Sequence, residues 1–450
     1  MRNPVALLRA HPALRAVANR GMLAGAMARI VVYSMGYRGD VLPYVPVANR
    51  LVERGHEVRF VCPREFHPLL RAEQFACVHS GTDFGPTLLD EHAGFVARWG
   101  TRLGGMRLPR LYFDELTIPH LDDLFEAIDA EVASADLVLS HPWAHLISGP
   151  AAERHGLPSV VGDLFPMLVR SRNMPPPGQR DLGPSGNRAA WAFLHSPFVN
   201  RFAFMGGFRR FRAQLGLSVE HWSLFGSRLS TRLTLGLYSR HYQPRLADWP
   251  PGYEVVGFTP WLGPAGETAL PAVEQFLEAR DPPVLVTLGT NAASADPLAF
   301  AQAGRALDRL GARGLFLTSN EAVTARVRAE LGDHHGVWPF VPIGSLLGRC
   351  RAVVHAGGHG TNAAVFTAGL PSAIKPAITD QIWHARRIAA LGIGLAVRGR
   401  GFADALEALL NDEGLSQRAR VLGEKMRTED GTGLACELID NVLANPPAGH

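Results

Sequence analysis

The stretch VVHAGGHGTNAAVFTAGLP, from Val353 to Pro371, decides the fold of this 450-residue chain. It joins a short apolar run to a glycine-rich turn and then to a helical pattern, and it holds two histidines, His355 and His359. A buried strand that leads through glycines into a helix often forms a phosphate site, because the first N–H groups of the helix point at the ligand. We therefore predict a parallel-sheet domain with an anion site at this turn.

Similar elements on both sides of this stretch divide the chain into two halves of the same kind. In the first half, apolar runs alternate with helical patterns, and these runs are ARIVVYSM, HEVRFVCP, DLVLSH and PSVVGDLF. The second half has the runs PPVLVTLGT, RGLFLTS, GVWPFVP, RAVVHAGG, SAIKPA and GLAV. Strands that alternate with helices are typical of a parallel, doubly wound sheet. We therefore predict an α/β fold with two doubly wound, Rossmann-like domains that face each other across a cleft.

Local composition sets the predicted domain boundaries. The first 26 residues are rich in arginine and alanine and lack acidic residues, which is typical of a transit peptide or of a start codon assigned too early. The stretch YQPRLADWPPGYEVVGFTPWLGPAG is dense in proline and glycine, which favours a linker. The predicted segments are a dispensable extension, open to disorder, at 1–27, an N-terminal domain at 28–241, a linker at 242–266, a C-terminal domain at 267–430, and a final helix and tail at 431–450.

Overall composition excludes several classes of protein. Hydrophobic residues make up 47% of the chain and charged residues 19%, which is a normal globular balance. The net charge of +4 is small for this length, and the chain has no long basic run, so we expect no nucleic-acid partner. The four cysteines are scattered without a CxxC pair, which favours the reducing cytoplasm and gives no zinc motif. No window of eighteen apolar residues predicts a membrane span.

The loop after the first predicted strand, SMGYRGDVLPY, carries a carboxylate. Gly36 and Gly39 permit a tight turn, and Asp40 then precedes a helix that we expect to begin near Pro43. Ligands of doubly wound sheets bind at the carboxyl ends of the strands, where this loop lies. Asp40 is therefore a candidate general base that faces the cleft, with a helix cap as the alternative interpretation.

Two more loops after strands carry polar side chains. In VTLGTNAAS, Thr290 follows Gly289 at the end of a strand and either caps a helix or donates to a phosphate. In KPAITDQIWHARR, Asp380 and Gln381 lie between a predicted strand and a helix. Capping alone explains Asp380, but a carboxylate beside an amide also offers both acceptors and donors to sugar hydroxyls.

The glycine turn itself predicts a diphosphate site of an unusual kind. Gly357, Gly358 and Gly360 let the backbone approach an anion, and a helix that begins at Thr361 adds about half a positive charge at its N-terminus. No lysine follows the glycines, so the turn is not a Walker loop, and no GxGxxG frame fits. A diphosphate held without lysine suggests a nucleotide whose phosphate is a leaving group, with a histidine available to donate a proton or a positive charge.

A further pair of histidines has spacing that resembles a metal site. The motif HPWAH places His141 and His145 four residues apart. Pro142 disfavours the regular helical turn that would bring both rings to one ion. We therefore predict no metal there and no cofactor elsewhere in the chain.

From Ala28 onward, the chain resembles UDP-glycosyltransferases of the GT-B fold, a family that includes bacterial antibiotic and sterol glycosyltransferases. The resemblance is strongest from FVPIGSLLGRCRAVVHAGGHGTNAA to AGLPSAIKPAITDQIWHARRIAALGIG, and GYRGDVLP is similar to the family's GxRGDVxP. It implies that Asp40 is the catalytic base. It also implies that a nucleotide-sugar donor binds to Gly39, Thr290, Val341, His355, Gly357, Gly358, His359, Gly360, Thr361, Asp380 and Gln381.

Two departures from the family pattern affect the donor site. Bacterial relatives usually have HHGGxGT, and the position of their second histidine is Ala356 here. His355 is then the favoured diphosphate ligand, with His359 or the unaided glycine turn as alternatives and with turn stabilisation as the ordinary role of either histidine. The glutamate that binds the ribose in plant relatives aligns with Ala364, so any contacts with the ribose must come from other residues.

The resemblance implies an inverting, metal-independent transfer from a UDP-sugar, or a dTDP-sugar, to a hydroxyl of a hydrophobic small molecule such as a natural product, sterol or lipid. The alternatives are a sugar-nucleotide epimerase of the same architecture and a non-catalytic sugar-nucleotide-binding protein. The N-terminal domain is expected to bind the acceptor and the C-terminal domain the donor. The basic, aromatic stretch GGFRRFRAQLG is typical of a solvated helix face, or of weak peripheral contact with an anionic membrane. We expect a cytoplasmic enzyme.

Overall fold

The structure is a computed structural model. It describes residues 27–83, 91, 111–166, 169–176, 179–196, 199, 206–219, 231–263, 270–278, 281–289, 297–318, 321–397 and 401–445. Apart from Met27, the predicted N-terminal extension lies outside the described residues.

Seven strands in the described part of the first half form one parallel sheet. They are β1 (Arg29–Tyr33), β2 (Glu57–Cys62), β3 (Ala76–His79), β4 (Leu137–Ser140), β5 (Ser159–Asp163), β6 (Thr231–Gly236) and β7 (Tyr253–Val255). Their order across the sheet is β3-β2-β1-β4-β5-β6-β7. Residue Val31 is paired with Arg59 of β2 on one side and with Val138 of β4 on the other.

Six strands in the described part of the second half form another parallel sheet. They are β8 (Val284–Thr287), β9 (Gly314–Leu317), β10 (Gly336–Trp338), β11 (Ala352–His355), β12 (Ser372–Ile374) and β13 (Gly394–Ala396). Their order is β10-β9-β8-β11-β12-β13. The prediction of an α/β fold with two doubly wound parallel sheets is confirmed.

Helices alternate with the strands in both halves. Those described in the first half are α1 (Arg38–Val41), α2 (Val45–Glu53), α3 (His67–Ala72), α4 (Leu121–Val132), α5 (His145–Arg154), α6 (Gly183–Leu194) and α7 (Gly206–Gln214). Those described in the second half are α8 (Pro271–Glu278), α9 (Pro297–Arg309), α10 (Glu321–Glu330), α11 (His359–Ala368), α12 (Thr379–Leu391), α13 (Phe402–Asn411), α14 (Glu413–Met426) and α15 (Gly431–Ala444). A π-helical segment covers Leu111–Thr117, and short 3₁₀ segments cover Leu42–Tyr44, Arg64–Phe66, Ile118–His120, Ile343–Ser345 and Leu347–Arg349.

Helices cover both faces of each sheet, which explains why the central strands are apolar throughout. In β1, Val31 and Tyr33 pack in the cluster that contains Leu124 of α4. Ile30 and Val32 point the other way. Burial of each such side chain stabilises the fold by about 1.5–3 kcal/mol relative to exposure. A strand buried on both faces reads as a continuous apolar run, as parallel strands usually do.

The chain crosses between the two domains in a way that the predicted boundaries do not describe. Strand β7 lies inside the predicted linker and extends the first sheet, because a run of only three residues between proline and glycine gives little strand signal. The final helix α15 packs back on the first domain, where Ile439 joins the cluster of Leu51. Arg54 and Asp440 form an ion pair at 2.6 Å in the same contact.

The strand orders create one crevice in each sheet. The order reverses between β1 and β4 in the first sheet and between β8 and β11 in the second. At such a switch point the connections leave toward opposite faces, and the crevice outside the carboxyl ends of the strands binds ligands. Asp40 follows β1 and the glycine turn follows β11, so the fold places both predicted sites at switch points.

Helix α7 contains the basic, aromatic stretch that we considered for membrane contact. Its Phe208 and Phe211 are buried in the first domain, and Arg212 donates to the Glu153 carboxylate at 2.8 Å. These aromatic rings therefore cannot insert into a bilayer. In the described residues, no helix combines the length and apolar character that a membrane crossing requires.

Candidate active site

Asp40 lies in the short helix α1, where its carboxylate both caps the turn and remains exposed toward the cleft. Its Oδ2 accepts the backbone N–H of Tyr37 at 2.8 Å, so the predicted capping contact is present. Gly36 has a φ of +114°, and a Cβ there would collide with the Asp40 carboxylate. The side chain of Asp40 remains 30% exposed, so the carboxylate is still open to the cleft.

His141 is a neighbour of Asp40 that the sequence analysis did not assign to the site. Its Nε2 lies 3.4 Å from Asp40 Oδ1, and its backbone N–H donates to the Tyr33 carbonyl at 3.1 Å. The ring is buried. The adjacency of β1 and β4 at the switch point is the signal that could have indicated this pair, since each residue follows one of these strands.

His145, the second histidine of HPWAH, contacts other residues than Asp40. His145 begins α5, and its two ring nitrogens lie 3.3 Å from Ser140 Oγ and 2.9 Å from Thr231 Oγ1. The two histidines therefore have separate partners, and their spacing does not bring them to a common ligand.

Asp380 approaches Asp40 from the second domain. Burial, and then the negative charge of Asp40, raise the pKa of Asp380 to about 7, against the opposing effect of N–H groups at the start of α12. Burial and the charges of both carboxylates also raise the pKa of Tyr112. The fold thus brings Asp40, Asp380 and Tyr112 together in the cleft, and Asp380 is partly protonated at neutral pH.

Replacing Asp380 by Asn is expected to stabilise the folded protein at alkaline pH. The folded state holds the Asp380 proton up to about pH 7, whereas an unfolded aspartate loses it near 3.8, so the free energy of unfolding falls as pH rises between these values. The neutral amide avoids this loss, and we expect a gain of about 2 kcal/mol above pH 7 that shrinks toward pH 4.

Urea unfolding of both proteins at pH 5 and pH 8 measures this difference. Asp122→Asn, a change at an exposed first-turn aspartate of α4, is the matched control. An equal gain from Asp380→Asn at both pH values would contradict the raised pKa.

Gln381 is partly occupied by its own helix. Helix α12 begins at Thr379, so Asp380 and Gln381 lie in its first turn rather than before it. The Gln381 Oε1 accepts the backbone N–H groups of Ala377 at 2.7 Å and Ile378 at 3.3 Å. Its carbonyl oxygen therefore caps the helix, which leaves the amide nitrogen as the group for a sugar hydroxyl.

The glycine turn has one residue that must be glycine and two that leave open space. Gly357 has a φ of +93°, and a Cβ there would lie 2.7 Å from Cγ2 of Ile374. Gly358 and Gly360 have nothing within 4 Å of a Cβ position. Gly358 is the N-cap of α11 and supplies no side-chain cap, so the first helical N–H groups have no capping side chain.

Asn362 supports this turn and was not identified from the sequence. It is buried in α11, and its Nδ2 donates to the Gly357 carbonyl at 2.8 Å. Thr361 is the third residue of α11, because the helix begins two residues earlier than predicted, at His359. Asn362 therefore fixes the position of the turn against its own helix.

The two histidines of the turn have different surroundings. The Nδ1 of His355 accepts the backbone N–H of Gly357 at 3.2 Å, and burial lowers the pKa of His355 to about 3. His359 is also buried, with a pKa lowered to about 4, chiefly by burial. The groups that influence His359 include Asp40 and His141, so its ring faces the first domain across the cleft. His355 thus stabilises the turn, whereas His359 faces the cleft.

A third imidazole lies behind His359. His384 is buried in α12, and its Nδ1 lies 2.9 Å from the Tyr242 hydroxyl. Burial, and then His359 and His355, hold the pKa of His384 well below its usual value. All three imidazoles are therefore neutral in this cluster at neutral pH, and sequence spacing gave no signal for the third.

The structure gives less information on the three remaining residues predicted to bind the donor. Thr290 lies outside the described residues, directly after Gly289. Val341 is buried in the core of the second domain. Gly39 has nothing within 4 Å of a Cβ position.

Beside Val341 lies an aromatic residue that the sequence analysis missed. Phe340 is 48% exposed, and the Arg38 guanidinium lies 5.4 Å from the centre of its ring. This contact joins the Asp40 loop of the first domain to the end of β10 in the second. Phe340 is therefore a candidate surface for a flat ligand group near the cleft.

One cluster among the described residues has the composition of a metal site, and it lies next to the start of the edge strand β10. Asp308 Oδ1 lies 2.9 Å from His334 Nε2 and 3.0 Å from His335 Nε2. However, the Gly314 N–H donates to His335 Nδ1 at 2.9 Å, so the proton of neutral His335 is on Nε2 and is donated to Asp308. That nitrogen has no lone pair for a metal, and the cluster is an ordinary hydrogen-bonded group.

Comparison with known proteins gives consistent matches across the chain. A family described as the C-terminal domain of erythromycin biosynthesis protein CIII-like proteins matches residues 318–441. The O-mycaminosyltylonolide 6-deoxyallosyltransferase of Streptomyces fradiae is 28% identical over 94% of this chain and 99% of its own length. A sterol 3-beta-glucosyltransferase of Leptosphaeria maculans is 25% identical over 91% of this chain but only 28% of its own length. The crystal structure of CalG4, the calicheamicin glycosyltransferase, has a TM-score of 0.68 at 17% identity and covers 94% of this chain and 100% of its own.

Together with the two switch-point crevices, these matches define a glycosyltransferase of the GT-B fold. The chain is an enzyme, a glycosyltransferase similar to O-mycaminosyltylonolide 6-deoxyallosyltransferase and to sterol 3-beta-glucosyltransferases. The resemblance drawn from the sequence motifs is confirmed. The epimerase and non-catalytic alternatives receive no support from these relatives.

Proposed function

We propose that this enzyme moves a sugar from a nucleoside diphosphate sugar to a hydroxyl of a hydrophobic small molecule, with inversion at the anomeric carbon. The observation that carries the proposal is the meeting of Asp40 with Asp380 and His359 across the two crevices. A base from one domain thus faces the sugar and phosphate groups expected on the other. This arrangement suits a single displacement, in which acceptor and donor enter from opposite sides of the cleft.

In the proposed reaction, Asp40 takes the proton from the acceptor hydroxyl as its oxygen attacks the anomeric carbon. The new bond forms as the bond from that carbon to the diphosphate oxygen breaks, and the nucleoside diphosphate leaves with the electron pair. Negative charge grows on the leaving oxygen, where the N-terminus of α11 and the His359 imidazole stabilise it. In this proposal the partial charge of the helix N-terminus and the neutral imidazole donor take the place of a metal ion.

The donor is proposed to lie along the open side of the glycine turn. Gly358 and Gly360 leave room for a diphosphate, and Asp380 with the amide nitrogen of Gln381 faces the sugar. A uridine diphosphate sugar is our first choice and a thymidine diphosphate sugar the alternative. The position that is acidic in plant relatives is Ala364 here, and alanine makes no polar contact with a ribose. This position therefore does not distinguish a uridine from a thymidine diphosphate sugar.

The acceptor is proposed to bind on the Asp40 side of the cleft. Tyr37, Tyr112, Trp143 and Ile378 pack partly buried against the apolar cluster of the first domain. Such a wall favours a hydrophobic acceptor, in line with the O-mycaminosyltylonolide and sterol acceptors that the names of the relatives specify. Most of the predicted acceptor stretch between residues 84 and 110 lies outside the described residues.

Replacing His359 by Ala is expected to weaken the binding of UDP by at least tenfold. The imidazole faces the cleft beside the Leu164 backbone, and a hydrogen bond to a charged phosphate contributes about 1.5–3 kcal/mol. Isothermal titration calorimetry at pH 7 measures the change.

His355→Ala is the matched control for this change. It removes a buried histidine from the same turn whose Nδ1 accepts the Gly357 N–H, so it should lower the thermal midpoint more than the affinity. Equal affinity of His359→Ala and wild type, with weaker binding by His355→Ala, would instead assign the diphosphate to His355.

The experiment that tests the proposed function is a transfer assay with α-linked UDP-glucose and dTDP-glucose against a panel of macrolide, aromatic polyketide and sterol acceptors. Mass spectrometry detects a product heavier by one sugar, and the coupling constant of its anomeric proton reports the stereochemistry. A β-linked product supports the proposal. An α-linked product would refute the single displacement, and epimerisation of the free donor would refute the transfer.

A further inference from the structure

The Asp40 carboxylate has a defined partner on each oxygen. The backbone N–H of Tyr37 donates to Oδ2 at 2.8 Å, and the His141 ring nitrogen Nε2 lies 3.4 Å from Oδ1. Tyr37 belongs to the same turn as Asp40, whereas His141 comes from the end of a different strand. Among the described residues, the contact with His141 is therefore the one that ties the carboxylate to the rest of the sheet.

The surroundings of His141 fix which of its nitrogens carries the proton. Its Nδ1 is buried and has no hydrogen-bond partner among the described residues, while its Nε2 faces a carboxylate oxygen. A proton on Nδ1 would leave a buried donor unpaired and would set two lone pairs against each other at Nε2. The proton is therefore placed on Nε2, which faces Asp40 Oδ1 at 3.4 Å, a distance longer than that of a typical hydrogen bond.

The backbone holds this imidazole in place independently of Asp40. The N–H of His141 donates to the Tyr33 carbonyl at 3.1 Å, which continues the pairing of β4 with β1 by one residue. The ring is buried. The backbone thus holds the histidine independently of Asp40, whose side chain is 30% exposed and 3.4 Å away.

We propose that His141 is a positioning residue that holds the Asp40 carboxylate in its charged, outward-facing orientation for removal of the acceptor proton. This inference rests on the proposed function. The acceptor O–H bond breaks, the proton passes to Asp40, and the oxygen forms the bond to the anomeric carbon. His141 keeps its own proton throughout and donates it to the carboxylate before the transfer.

The charges around Asp40 explain why such a donor is needed. Asp380 approaches from α12 with a charge of the same sign, and its influence on Asp40 is repulsive. Among the described residues, other titratable groups that interact with Asp40 include Tyr44, Tyr112 and His359. His359 and the two tyrosines are neutral at pH 7, so they offer Asp40 no compensating charge. The Nε2–H of His141 faces Asp40 Oδ1 and so opposes the repulsion between the two carboxylates.

The test compares His141→Gln with His141→Phe. Gln extends an amide N–H to about the reach of Nε2, whereas Phe keeps the bulk of the ring and removes the donor. We expect His141→Phe to lower kcat by about 10²-fold, because misplacement of a catalytic group by about 1 Å costs that much, and His141→Gln to recover most of it. The KM for the donor and the affinity for UDP should stay within about twofold of wild type.

The pH profile separates positioning from a merely structural effect. Loss of the donor should change the acid limb of kcat/KM in His141→Phe, and His141→Gln should restore it. His67→Phe is the matched control, since His67 is a buried histidine of the same domain that lies 3.3 Å from the Cys62 carbonyl instead of Asp40. Slow hydrolysis of the donor by water serves as the reaction where no acceptor has been found.

The outcomes distinguish this inference from the proposed function. Absence of turnover by wild-type enzyme refutes the proposed function, whereas an active wild type with a fully active His141→Phe refutes the role of His141. If His141→Phe does not fold, side-chain ¹⁵N spectra of histidine-labelled wild type decide, with His141→Gln assigning the signal. An Nε2–H tautomer that changes in Asp40→Asn supports the proposal, and an Nδ1–H tautomer overturns it.

Discussion

Replacing Asp40 by Asn is expected to lower kcat by about 10³-fold, because a positioned general base contributes about 10²–10⁴-fold to such a reaction. The amide oxygen can still accept the Tyr37 N–H, so the turn and the helix that follows it should keep their structure. The loss should therefore appear in kcat, with donor affinity unchanged. Steady-state rates of sugar transfer, with calorimetry of UDP binding as the second measurement, check both parts.

Asp412→Asn is the matched control for the change at Asp40. Asp412 caps α14 by accepting the Leu415 N–H at 2.8 Å, so the same substitution removes a capping carboxylate far from the cleft. This variant should retain full activity. A comparable loss of kcat in both variants, or a retained kcat in Asp40→Asn, would remove Asp40 as the base and leave it a cap.

Replacing Gly357 by Ala is expected to destabilise the protein by about 2–4 kcal/mol and to weaken nucleotide binding by more than tenfold. The residue has a φ of +93°, which strains any residue with a side chain, and the new Cβ would meet Ile374 at 2.7 Å. Relief of this contact must move the turn or strand β12. Either shift displaces the first N–H groups of α11, on which we propose that the diphosphate binds.

Gly360→Ala is the control in the same turn. No atom lies within 4 Å of its Cβ position, and alanine favours a helix over glycine by about 0.8–1.0 kcal/mol in a helix interior. The free energy of unfolding should stay the same or rise. Urea unfolding and calorimetry of both variants check these expectations, and equal destabilisation by the two changes would contradict the geometry of the turn.

The layout of the two sheets followed from the sequence because their central strands are buried on both faces. The run of Ile30, Val31, Val32 and Tyr33 is apolar for that reason, and all four side chains are buried. Short strands at the edges carry a weaker signal. The residues of β3 are only partly buried or exposed, and β7 has three residues within a proline-rich segment, so neither was identified.

The candidate site was predictable to the extent that a motif lies on one loop. Asp40, the glycine turn and Asp380 each lie in the segment between a strand and the body of the next helix, and the rule that ligands bind at carboxyl ends of parallel strands identified them. His141 and Asn362 act through contacts that only the folded chain creates. The pairing of His141 with Asp40 depends on β4 being the neighbour of β1, which the order of strands along the chain does not state.

The choice between His355 and His359 shows the limit of alignment by motif. Counting along the chain favours His355, because the count cannot say which side of the sheet a side chain takes. In the structure His355 accepts a backbone N–H of its own turn. His359 opens α11 and faces the residues of the other domain, so we prefer it as the phosphate ligand.

The central claim is that the cleft binds a nucleoside diphosphate at the glycine turn, and calorimetric titration with UDP, dTDP and GDP tests it most directly. The account predicts binding of UDP or dTDP with a stoichiometry of one, weaker binding of GDP, and loss of affinity in Gly357→Ala. Binding that is unaffected by Gly357→Ala would place the nucleotide elsewhere. Failure of all three nucleotides to bind would contradict the donor site and, with it, the proposed reaction.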